Sequence, residues 1–89
     1  MERRSVRFTG RVQGVGFRMT ARAVAQSLKL SGWVRNEPDG SVLMEVQGPP
    51  NTIEQCLGRI QRETFGHVDD RQELTQDVDD SETGFEIRH

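Results

Sequence analysis

The stretch from Gly10 to Arg18, G-R-V-Q-G-V-G-F-R, brings together the residue types that hold anions. Glycines let consecutive backbone N–H groups turn toward one point without Cβ clashes, and the start of a helix adds N–H groups that have no partner in the helix itself. Arg18 adds a planar, permanently charged fork. On these residues alone the bend reads as a cradle for an anion, although a glycine-rich bend between a strand and a helix is more often only a structural turn. Other glycine motifs do not fit. A phosphate-binding loop of the Walker type needs a Gly-Lys pair, which the chain lacks, and a dinucleotide fingerprint starting at Gly14 needs glycine where Met19 stands.

Elements on both sides must position this bend. Ser5 to Val12 alternates, with Val6, Phe8 and Val12 on one side and Arg7, Thr9 and Arg11 on the other, which predicts a half-buried strand. Phe17, Ala21, Val24, Ala25 and Leu28 then recur at helical spacing, predicting a helix over 19–29 that Ser31-Gly32 ends. Trp33-Val34-Arg35 begins a second strand reaching Asn36, so two elements could converge on the bend. Asn36-Glu37-Pro38-Asp39-Gly40 has the composition of a hairpin turn, and Ser41 to Gln47 alternates as a third strand closed by Gly48-Pro49-Pro50.

Asn51, with Glu54 three residues on, resembles a capping box opening a second helix whose Ile53, Cys56, Leu57 and Ile60 share one face. Val68, Leu74 and Val78 share a period-two register and suggest a fourth strand. Asp79 to Gly84 reads as an acidic loop, and Phe85-Glu86-Ile87 offers a short fifth strand. Strand, helix, strand, strand, helix, strand is the βαββαβ order of a ferredoxin-like α+β sandwich: an antiparallel, mixed sheet with two helices on one face. In that plan the first strand is central. One domain spanning 1–89 is expected from the length.

The net charge of −2 conceals a division. Residues 1–36 sum to +7 and the remainder to −9, so the half containing the glycine bend attracts small anions while the acidic half disfavours coating by nucleic acid. RNA-recognition folds share this strand order, but their stacking aromatics belong on the third strand, which here has none. The single cysteine, Cys56, sits on an apolar helix stripe and reads as core. No Cys/His cluster has metal-ligand spacing. Without an apolar leader or membrane-length run, the chain is expected to be cytoplasmic. His67 and His89 are expected to face solvent, Asp39 to shape the hairpin, Trp33 to pack, and Glu37 to point to solvent, with an influence on the anion site as the alternative.

Val12-Gln13-Gly14-Val15-Gly16-Phe17-Arg18, followed by Gly32-Trp33-Val34-Arg35-Asn36 and Asp39-Gly40, resembles the two signature segments of the acylphosphatases. Gly48-Pro49 and Phe85-Glu86-Ile87 extend the resemblance over most of the chain, and residues 64–83 fit it least. The resemblance implies hydrolysis of the carboxyl-phosphate bond of small acyl phosphates, with inorganic phosphate as product, no metal, no cofactor and no covalent intermediate. It implies that Arg18 and the backbone of Gln13, Gly14, Val15, Gly16 and Phe17 bind the phosphoryl group, and that Asn36 holds the attacking water. A free-standing monomer acting on a small molecule, with no nucleic acid and no membrane partner, is the corresponding expectation. The rival is a non-catalytic anion-binding module, and the absence of an attached domain favours the enzyme. The acyl group of the physiological substrate is not readable from these residues.

Overall fold

The computed structural model describes residues 1–89. Its elements are β1 (Glu2–Arg11), α1 (Phe17–Ser27), β2 (Ser31–Asn36), β3 (Val42–Gly48), α2 (Pro50–Glu63), β4 (His67–Gln76) and β5 (Phe85–Ile87). The sheet runs in the order β4-β1-β3-β2-β5, so β1 is an interior strand as expected. All neighbours are antiparallel except β2 and β5, which run parallel and make the sheet mixed. This is the ferredoxin-like βαββαβ arrangement with a fifth strand added at its C-terminal end.

Alternation in the strands decides which side is covered. Val6 and Phe8 of β1, Val42, Met44 and Val46 of β3 and Val34 of β2 are fully buried against α1 and α2. The helices answer with Phe17, Ala21, Val24 and Ala25 from α1 and Ile53, Cys56, Leu57 and Ile60 from α2. The Phe8 and Phe17 rings lie 5.0 Å apart in a tilted pair, which pins the first turn of α1 to β1. The opposite sheet face carries Arg3, Arg7, Glu45, Gln47, Trp33 and Arg35. There Trp33 is buried between the guanidinium groups of Arg35 and Arg88, at 5.0 and 4.9 Å from its ring centre. Trp33 is thus packing, as its composition suggested.

Three local readings need correction. The first concerns the end of α1. Leu28 caps the helix, Lys29 takes the left-handed conformation at φ 59, and Ser31-Gly32 already belongs to β2. The amides of Lys29 and Leu30 bond back to the carbonyls of Gln26 and Ala25, and Leu30 is buried beneath them. These bonds complete a Schellman motif without glycine at the left-handed position, which is why the sequence placed the helix end too late.

The capping box is absent. Pro49 precedes α2, Pro50 starts it, and no side chain caps it. Proline at the first helical position has no N–H to satisfy, which removes one of the unpartnered donors of the helix start. Asn51 is exposed within the helix, and the Glu54 carboxylate instead meets Arg4 and Arg71.

The fourth strand exists, but its apolar residues do not share a face. A bulge opposite Thr9 and Gly10 shifts its register. Val68 consequently packs on the core side, whereas Leu74 lies on the open face, 68% exposed, and Val78 falls beyond the strand. What β4 gives α2 is polar: Arg71 reaches Glu54 and Gln61, and Arg4 reaches Glu54 and Glu73. A strand docked by ion pairs leaves little hydrophobic pattern to read.

Candidate functional site

The bend between β1 and α1 is built on two left-handed glycines. Gly14 has φ 74 and Gly16 has φ 75, and a Cβ at either would meet nothing within 4 Å. Glycine is required here by backbone angle, and the space in front of it is open. Gly16 is also the N-cap of α1, and it has no side chain to satisfy the first-turn amides. The N–H groups of Gly14, Val15 and Gly16, and those of Phe17, Arg18 and Met19 at the start of the helix, find no acceptor in the protein. No acidic residue sits in the first turn of α1. Partial positive charge is therefore concentrated and uncompensated at this point.

The β2–β3 hairpin is fixed to the bend from the other side. The Gln13 side-chain amide donates to the carbonyls of Glu37 and Ser41, both at 2.8 Å. The hairpin itself is closed by Asp39, whose Oδ1 accepts from the Ser41 amide at 2.9 Å and the Ser41 hydroxyl at 2.6 Å. Those bonds, the hydroxyl first, hold the Asp39 carboxyl below its ordinary range. Asp39 shapes the turn, as the sequence implied. Glu37 does not point to free solvent: its carboxylate lies 3.1 Å from Arg35 Nε and 3.8 Å from Arg7 Nη2, on the open face.

Between the bend and β2 lies a cavity of about 400 Å³ lined by Val12, Gly14, Gly16, Phe17, Arg18, Met19, Arg22, Asn36, Ile87 and His89. Arg18 and Asn36 thus meet across one space, together with the bend's glycines and Phe17. Gln13 and Val15 belong to the same bend but do not line the cavity; Gln13 acts as its brace. Asn36 Oδ1 is buried and accepts no hydrogen bond from the protein. An orphaned buried acceptor costs about 1–3 kcal/mol, and Asn36 is among the residues that line the cavity.

Arg18 is half-buried and has no carboxylate partner; its Nη1 lies 3.4 Å from His89 Nδ1. His89 is therefore a cavity residue as well as an exposed one, contrary to the expectation that it simply faces solvent. Sequence reasoning also missed Met19, Arg22 and Ile87. Arg22 follows Arg18 by four residues on α1, a spacing that stacks two side chains on one helix face and could have signalled it. Ile87 and His89 arrive through β5, whose parallel pairing with β2 is a tertiary feature. His67 is exposed near Asp69, as expected. Cys56 is fully buried, and burial pushes its thiol up to about 11. No group of three His, Cys, Asp or Glu side chains is arranged to hold a metal ion.

An α+β sandwich with a basic cavity, lined by no Asp or Glu, at a strand-to-helix bend defines a small anion-handling protein. The acylphosphatase family model matches residues 4–87. An acylphosphatase of Salinibacter ruber is 51% identical over 59 residues, covering 66% of this chain and 62% of the relative. One from Oceanobacillus iheyensis is 39% identical over 87 residues, covering 94% of each. The crystal structure of an acylphosphatase from Bacillus subtilis superposes with a TM-score of 0.93 at 31% identity over the whole of both chains. The chain belongs to the acylphosphatase family.

Proposed function

We propose that this chain hydrolyses the carboxyl-phosphate bond of small acyl phosphates, releasing a carboxylate and inorganic phosphate. The observation that supports the reading is the meeting, around one cavity, of Arg18, the residues Gly14, Gly16, Phe17 and Met19 with their unpartnered amides, and Asn36 with its orphaned Oδ1. Phosphoryl oxygens accept hydrogen bonds from those amides and from Arg18. Asn36 Oδ1 accepts one O–H of a water and directs its lone pair at phosphorus, opposite the leaving carboxylate. As the new P–O bond forms, the bond to the acyl oxygen breaks and its electron pair stays on the carboxylate. One water proton remains on the phosphate and the other passes to solvent.

Physical chemistry asks little more of the protein. The leaving carboxylic acid has a pKa near 4, so the departing oxygen needs no general acid. A preorganised donor aimed at developing charge contributes about 3–4 kcal/mol, and holding the water in line removes part of the entropic barrier. Cys56 is walled off and keeps its proton, so it is no nucleophile. Arg18 and the bend carry the phosphoryl charge without a metal or cofactor.

The same reading is of a cytoplasmic monomer whose single domain over residues 1–89 carries the complete site. It has no nucleic-acid or membrane partner. Trp33 on the open face is covered by two arginines, and no helix is long and apolar enough to cross a membrane. The test is benzoyl phosphate hydrolysis in the presence of a metal chelator, with inorganic phosphate as competitor. Chelator-resistant turnover inhibited competitively by phosphate is expected. Phosphate binding without turnover would instead make the chain an anion-binding module.

A further inference from the structure

The cavity contains a second arginine that phosphoryl binding does not require. Arg22 is half-buried, lines the same cavity as Arg18, and has neither a carboxylate nor any hydrogen-bond partner in the protein. Most arginines of the chain, seven of them from Arg3 to Arg88, do pair with a carboxylate. The cavity lining includes no Asp or Glu. Neither of its two guanidinium groups is paired with a carboxylate; Arg18 contacts only His89 Nδ1.

Their spacing is informative. Arg22 follows Arg18 by four residues on α1, so the two side chains share one helix face, with the Arg22 Cα roughly 6 Å of helix rise further from the bend. Its own amide lies within the helix, so only the planar fork is on offer at that end, a shape that matches a carboxylate. The same lining includes two apolar side chains, Met19, 63% exposed, and Ile87.

We propose that Arg22 is a specificity residue that selects acyl phosphates whose short acyl chain ends in a carboxylate. In this arrangement the phosphoryl group sits on the bend and Arg18, the apolar middle of the acyl chain lies along Met19 and Ile87, and the distal carboxylate pairs with Arg22. The inference rests on the acyl phosphate reading above and names the substrate class of that site.

Fumaryl monophosphate and crotonyl phosphate test it, because they share a rigid trans chain and differ in a terminal carboxylate against a methyl group. The intact protein is expected to favour fumaryl over crotonyl phosphate by about tenfold or more in kcat/KM, the scale of one charge-assisted contact. That ratio is expected to shrink at high salt. In Arg22→Gln the ratio should fall about tenfold, and in Arg22→Lys it should fall less, because the charge remains while the fork is lost. Equal turnover of the two substrates by the unaltered protein would overturn the inference. So would an Arg22→Gln variant in which both rates fall in the same proportion, since Arg22 would then serve the phosphoryl group. Failure to hydrolyse either compound would sink the acyl phosphate reading itself, and this inference with it.

Discussion

The arginines of the open sheet face and of the β1–β4 side differ from those of the cavity in the company they keep. Arg3 lies 2.8 Å from Glu45 and from Glu82, Arg35 lies 3.1 Å from Glu37, and Arg71 bridges Glu54 and Glu73. Arg18 and Arg22 meet no carboxylate at all. A paired guanidinium is largely compensated where it stands and serves to dock one element on another, whereas an unpaired one keeps its donors and its field for whatever enters. Residue type alone does not separate the two uses. Position in the fold does: acids of the second half lie on the open face and around β4, whereas no Asp or Glu lines the cavity.

The largest expected effect comes from removing the central unpaired charge. Arg18→Ala should lower kcat/KM for benzoyl phosphate by about a thousandfold or more and abolish phosphate inhibition, because donor and charge are lost together. Asn36→Ala should separate the two halves of the site: kcat falls by about a hundredfold, while the inhibition constant for phosphate moves far less. Normal turnover by either variant would break the assignment.

Bringing a carboxylate to the cavity makes it resemble the open face. Met19→Glu should raise KM about tenfold at low salt, with partial recovery as salt screens the new pair, and Met19→Gln separates this from a change of shape. The converse experiment removes a docking arginine. Arg71→Ala should leave kcat/KM within about twofold of the unaltered protein and cost about 1 kcal/mol or less in denaturant unfolding. A large loss of activity there would erase the distinction between the two groups.

The smallest effect concerns the Asp39 turn. Its carboxyl titrates below the ordinary value, so its contribution to stability is present above the unfolded pKa and is lost as pH falls through the lower folded one. The stability difference between the protein and Asp39→Ala should therefore be constant near neutrality and shrink below about pH 4, which thermal melts across that range would show.

Local pattern carried much of this. Alternation in β1 and β3, helical spacing in α1 and α2, and the glycines at 14 and 16 were enough to place the core and the bend. The sequence failed where structure is decided by something other than apolar periodicity. Lys29 performs a turn that glycine usually performs, and Pro50 starts α2 without the expected cap. Ion pairs to α2, combined with a bulge, hide the faces of β4. At the site, Arg18 and Asn36 stood out through their signature segments, whereas Arg22 looked like one more surface arginine. Its place in a cavity lined by no Asp or Glu, a property of the folded chain, sets it apart. Ile87 and His89 reach the cavity through the parallel pairing of β5 with β2, which no local spacing encodes.

The Gln13 brace bears on how freely the sequence can vary. Its two acceptors are main-chain carbonyls of Glu37 and Ser41, so the link between bend and hairpin does not depend on which side chains occupy those positions. Substitutions at 37 can alter the charge of the open face without removing this link, whereas the Ser41 hydroxyl also closes the Asp39 turn. Position 13 has less latitude: the side chain must place at least two N–H donors at glutamine's reach to span both carbonyls. Mutational tolerance should be unequal between residues that touch one another, wider at 37, which offers only its main chain to the brace, than at 13, which offers its side chain.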